Sequence, residues 1–195
     1  MKRIIEKITD WLIENCIVNE QEREMNIYGL EIIFGKLLVY GSLIMFSVIQ
    51  KNTIQTLFFM ISFFSLRGHT GGFYAKSRTA CYFMTVIIYF IVCKWYVPLL
   101  ETDEIGFIAT LAIAGYSVIA FAPLNHPNLC LNNNEIRLCK DVSRCMLILW
   151  VVVVSVLKMM KIIPEYNSYL TAGIGIDAGL LILGKVMKQE VSSDE

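Results

Sequence analysis

The stretch Arg67-Gly68-His69-Thr70-Gly71-Gly72-Phe73-Tyr74-Ala75-Lys76-Ser77-Arg78-Thr79-Ala80-Cys81 decides how the chain is read. It is polar, and it lies between two strongly apolar runs, 53–66 and 80–100. Those runs come in blocks rather than at a period of 2 or 3.6, the pattern of segments that cross lipid. A bare connection between two membrane spans needs only a few polar residues. This one carries a histidine, a Gly-Gly pair free to take φ > 0 at successive positions, three cationic side chains and, where the next apolar run begins, a cysteine.

The rest of the composition agrees with a membrane reading. Of 195 residues, 56% are hydrophobic and 17% charged, and the mean hydropathy is +0.58. A soluble domain has roughly 45–50% apolar and about 25% charged residues. Lysine plus arginine equals aspartate plus glutamate, 17 against 17. With no basic patch interleaved with aromatics, no nucleic-acid partner is expected. The six cysteines (Cys16, Cys81, Cys93, Cys130, Cys139 and Cys145) contain no CxxC pair. Their spacing to the two histidines resembles no zinc ligand set, so neither metal nor cofactor is expected. Five of the six read as small apolar residues that tolerate lipid or helix contact.

Working outward from the loop gives an all-α, polytopic integral membrane protein with about six transmembrane helices and an amphipathic N-terminal helix. Residues 1–30 place Ile4, Ile5, Ile8, Trp11, Leu12 and Ile13 at helical spacing, with Lys2, Arg3, Lys7, Asp10 and Glu14 elsewhere. This segment caps the bundle or lies on the bilayer, and it reads neither as a span nor as a cleavable signal peptide. Span candidates follow at 32–49, 53–66, 80–100, 105–123, 146–163 and 169–184. The second is short for a hydrocarbon core of ~30 Å, which needs about 20 residues. A four-span arrangement, with the short second and sixth runs re-entrant, is the alternative. A second polar loop occupies 124–145, and 185–195 form a polar tail. Lysine and arginine concentrate near the amino terminus, in the loops 67–80 and 124–145, and in the tail. That bias puts both termini and both long loops on the cytoplasmic side of the cell membrane.

The chemistry centres on Cys81. Nearby cations and a helix amino terminus favour a thiolate, and Lys76, Arg78 and the start of the third span supply both. His69 offers a general base in the same loop, and His126, between Asn125 and Pro127, reads as a turn residue. Asp177, in a glycine-rich span, is an intramembrane ionisable group and therefore a functional candidate. A partner for Lys158 or Lys161 is its plainer explanation.

These residues resemble the accessory gene regulator B (AgrB) family of membrane cysteine endopeptidases. The family pattern is an arginine, a glycine pair, His-Ala, and a cysteine seven positions after that histidine. Here it reads Arg67, Gly71-Gly72, Tyr74-Ala75 and Cys81. The segment Phe121-Ala122-Pro123-Leu124-Asn125-His126-Pro127-Asn128, followed by Glu135, is similar to the family's second loop. The resemblance implies cleavage of an amphipathic, AgrD-like precursor peptide in quorum sensing. Cys81 would form an acyl thioester, which a cysteine of the peptide then takes over to close a thiolactone ring. Catalysis would rest on Cys81 with His69 or Tyr74, and substrate contact on Arg67, Gly71, Gly72, Lys76 and Arg78. The bilayer and the precursor are the implied partners, and a homodimer is left open.

One position departs from the pattern: Tyr74 stands where the family has its histidine. Neutral tyrosine, with a pKa of about 10, is a poor base at neutral pH. His69 could take the role, Cys81 could work from its cationic helix-start setting, or the chain could be a weakened or inactive peptide-binding relative. A small transporter is the competing class, but no convincing internal repeat is evident. The charge bias generates a topological prediction. Single-cysteine variants at Ala75 and Asn133 should resist an impermeant thiol reagent in intact cells and react after permeabilisation.

Overall fold

In the computed structural model, residues 2–15, 17–73, 75, 77–124 and 133–188 are described, with Lys2, Arg3, Arg78 and Asn133 as backbone only. The described chain is α-helical, with helices α1 (Lys2–Glu14), α2 (Arg23–Gln50), α3 (Thr53–Thr70), α4 (Arg78–Ile91), α5 (Val97–Thr102), α6 (Glu104–Phe121), α7 (Asn133–Met159) and α8 (Pro164–Val186). A π turn, Val92–Tyr96, joins α4 to α5. Pro98 follows one turn later and cannot donate to the carbonyl of residue 94, so the ladder is already adjusted where the proline would break it.

Among the described residues, five segments are long and apolar enough to cross a membrane: Glu20–Gln50, Thr79–Thr102, Glu104–Phe121, Asn134–Met159 and Pro164–Val186. This is an all-α polytopic membrane protein with an amphipathic N-terminal helix. Helix α3, the expected second span, carries a polar last turn, Arg67-Gly68-His69-Thr70. At 1.5 Å per residue its 18 residues run about 27 Å.

Several boundaries move relative to the sequence reading. The loop expected over 67–80 is shorter, because α3 continues helical through Thr70 and α4 starts at Arg78. Arg67 itself supplies the reason, since its side chain reaches forward onto the chain beyond the helix end. The second loop also shrinks, with α7 helical from Asn133 into the fifth span. The N-terminal amphipathic segment splits into α1 and the start of α2, tied by the Arg23–Asp10 ion pair at 2.9 Å.

Helix α8 is the centre of the bundle. Of its apolar window 61% is buried, against 11% for α2 and 28% for α6. It packs most extensively on α3 and then on α6, also meeting α5 and α7. Small residues permit this. A Cβ added at Gly173 would lie 2.9 Å from the Phe59 carbonyl oxygen and 3.0 Å from the Phe63 nitrogen of α3. One added at Gly175 would lie 2.8 Å from Thr110 Cγ2 of α6. Close backbone approach replaces the hydrophobic drive that lipid removes.

Polar ties then fix the register. Trp150 donates to Ser65 Oγ at 2.9 Å, joining α7 to α3. Ser42 and Tyr82 hydroxyls, 2.8 Å apart, join α2 to α4. Near the start of α3, Asn52 donates to the Tyr169 hydroxyl at 3.2 Å and to Cys93 Sγ at 3.8 Å. Thr56 meets the Tyr89 hydroxyl at 2.8 Å in the same cluster.

The glycine contacts predict a contrast. Gly173→Ala must push α3 and α8 apart, at a cost of about 1–3 kcal/mol. Gly179 has nothing within 4 Å, so Gly179→Ala should be neutral or gain about 0.5–1 kcal/mol. Thermal unfolding of the two variants in detergent micelles checks the difference.

Candidate functional site

The site is built where α3 ends. A helix leaves its last carbonyls without partners, and here a cationic side chain answers for the chain just beyond. The Arg67 guanidinium donates to the carbonyl oxygens of Gly71 and Phe73. Thr70 Oγ1 lies 3.0 Å from both carboxylate oxygens of Asp177 and donates to that group. Asp177 is fully buried in the middle of α8. A carboxylate at such depth persists only with compensation of this kind. The plainer explanation is a pair with Lys158 or Lys161; among the described residues no ion pair joins Asp177 to either, and the Lys158 ammonium sits over the Phe107 ring, 5.1 Å from its centroid.

Beyond Thr70 the chain leaves the helix through two left-handed glycines, Gly71 at φ 70° and Gly72 at φ 109°. Any side chain there would be strained, and at Gly71 a Cβ would also fall 2.6 Å from the Leu124 carbonyl oxygen. That closeness reflects a parallel bridge between Gly71 and Leu124, in which Leu124 N–H donates to the Thr70 carbonyl at 3.0 Å. Phe73 N–H donates to the Leu180 carbonyl of α8 at 2.9 Å. Gly184 makes room for it, since a Cβ there would lie 2.7 Å from Phe73 N.

The chain turns back into the bundle at Ser77, whose hydroxyl accepts from Ala80 N–H at 3.1 Å and caps α4. Cys81 lies one turn in. Its N–H donates to the Ser77 carbonyl at 3.0 Å, and its thiol is half-buried and free of any disulfide. His69 is half-buried in the last turn of α3 rather than in an open loop. Among the described residues no hydrogen bond joins His69 to Cys81.

The structure thus brings Arg67, Gly71 and Gly72 together with Asp177, while Cys81 stands on a separate helix. Tyr74, Lys76 and the segment 125–132, with Asn125, His126, Pro127 and Asn128, lie outside the described residues, as does the Arg78 side chain. Among the described residues no group of three His, Cys, Asp or Glu side chains could hold a metal ion. Sequence reasoning passed over Thr70, Leu124, Leu180 and Gly184 as parts of the site. A signal existed for Asp177 alone, as an acid within an apolar span.

Fold and site define a class: a polytopic helical membrane protein with a glycine loop clamped onto a central helix, and a half-buried thiol in the first turn of the helix that follows the loop. The model of accessory gene regulator B (AgrB) matches residues 5–181, and the chain belongs to that family. It is 30% identical over 99 residues to the accessory gene regulator protein B of Staphylococcus carnosus (strain TM300). That match spans about half of each chain, 49% of both. No solved structure matches the chain.

The cap predicts a local effect. Ser77→Ala should cost about 1 kcal/mol of helix-start stability, whereas Ser77→Asp should retain the cap. Amide hydrogen exchange over residues 78–81 should therefore quicken in the alanine variant and stay slow in the aspartate variant.

Proposed function

We propose that this chain is a membrane-embedded cysteine endopeptidase that cleaves an amphipathic, AgrD-like precursor peptide at the cytoplasmic face of the cell membrane. The observation that carries the reading is the half-buried free thiol of Cys81 in the first turn of α4, directly after a loop held in place by Arg67. Family membership supports the substrate class.

In the reaction, the Cys81 thiolate attacks the scissile carbonyl carbon and the resulting oxyanion collapses. The C–N bond breaks, the leaving amine takes a proton, and an acyl thioester remains on Cys81. A cysteine thiol of the same peptide then attacks the thioester carbonyl. It yields its proton, closes a thiolactone and returns Cys81 as the thiol. A site partly shielded from water favours this transfer over hydrolysis. Arg67 serves to orient the loop. Gly71 and Gly72 let the loop backbone approach the substrate, and Lys76 and Arg78, five and three positions before Cys81 in the sequence, supply the positive charge that favours a thiolate. The base is assigned to His69, because neutral tyrosine at position 74 is a weak one.

Tyr74 itself favours a second reading, a weakened relative that binds the peptide and turns it over slowly. One set of variants separates the two. Cys81→Ser should remain in the membrane and abolish cleavage, while replacing the other five cysteines together should leave it largely intact. His69→Ala should lower the rate by about 10²–10⁴-fold, the usual share of general-base assistance. Tyr74→His in that background should restore part of the loss. If His69→Ala is silent and Tyr74→His in the otherwise natural chain raises the rate, the natural protein lacks an effective base and the second reading holds. Unchanged cleavage by Cys81→Ser would remove the thiol mechanism altogether.

A further inference from the structure

One face of α8 meets the loop at three successive levels. Asp177 accepts from Thr70 at 3.0 Å, the Leu180 carbonyl accepts from Phe73 N–H at 2.9 Å, and Gly184 leaves the slot through which residues 72 and 73 pass. Positions 177, 180 and 184 are spaced i, i+3 and i+7, a single helical stripe. The same stripe contains the one carboxylate that is buried among the described residues. Packing alone gives no reason for that charge, since an apolar residue of similar volume usually stabilises a buried site as well or better.

The last turn of α3 supplies the reason. From it the Arg67 guanidinium holds the Gly71 and Phe73 carbonyls, and Thr70, three residues on, donates to Asp177 at 3.0 Å. The carboxyl on the central helix thus fixes the turn from which Arg67 reaches the loop.

We infer that Asp177 is a positioning residue of the peptide-cleaving site. Acting through Thr70 and the helix turn that carries Arg67, it fixes the backbone of residues 71–73. It thereby sets the course of the chain that leads from α3 toward the helix bearing Cys81. The catalytic part of this inference rests on the endopeptidase reading. The anchoring part does not.

The test uses the full chain in liposomes, with an amphipathic peptide containing one internal cysteine as the probe substrate. Asp177→Asn keeps the shape and an acceptor for Thr70 but removes the charge. Thr70→Val removes only the hydroxyl and guards against a fold collapse in the first variant. Asp177→Asn should quicken amide exchange at Gly72 and Phe73. It should also lower kcat by about 10²-fold, the scale of a ~1 Å misplacement, with KM within a few-fold of the natural chain. Thr70→Val should act in the same direction and less. Combined with Arg67→Lys, Asp177→Asn should add little further loss, because the two act as one unit. Unchanged exchange in Asp177→Asn would overturn the anchoring. Quickened exchange with unchanged kcat, or fully additive losses with Arg67→Lys, would reduce Asp177 to a structural residue and overturn the catalytic part. If the natural chain cleaves no peptide, the endopeptidase reading fails, and the exchange measurements still decide the anchoring.

Discussion

Backbone that leaves a helix into the packed interior of a bundle must find its hydrogen-bond partners in protein, because a buried polar group without one is costly. The link from α3 to α4 is governed by that constraint. Gly71 and Phe73 give their carbonyls to Arg67, Phe73 gives its N–H to Leu180, and Thr70 takes the N–H of Leu124. Each of these partners comes from a different part of the chain, so the loop is held only when α3, α8 and the segment after α6 are assembled. The site is therefore a property of the whole bundle, and the two glycines serve to let the backbone reach all three.

Helix α8 carries two tasks on one length of chain. Along its first half, Gly173 and Gly175 admit α3 and α6 to near-backbone contact. Along its second half, Asp177, Leu180 and Gly184 receive the loop. Both tasks favour small or polar residues over bulky apolar ones, which explains why this span is the least lipid-like of the five and the most buried. The polar cluster of Asn52, Thr56, Tyr89 and Tyr169 secures the opposite end of α3 by bonds between side chains. Helix α3 is thus gripped at both ends, and the half-buried His69 is carried on a rigid element.

The departure at Tyr74 sits immediately after this grip. The described loop is pinned through residue 73 by Arg67 and Leu180. In the proposed function, the difference between full and weakened cleavage turns on the side chain at position 74 and on whether His69 compensates for it.

Sequence and tertiary structure divided the information along physical lines. The apolar blocks, the amphipathic start and the Arg67, Gly71-Gly72 and Cys81 pattern are local, so the membrane class, the approximate number of spans and the family resemblance were all legible in the residues alone. Helix boundaries were less so. The run 67–70 looks like loop by polarity, yet it stays helical because its arginine and threonine find partners beyond the helix end. The partners of Asp177 were not legible at all. Thr70 and Asp177 are separated by 107 positions, and no periodicity links residues that far apart. Only the packing of α3 against α8, made possible by the missing side chain of Gly173, brings them within hydrogen-bond reach.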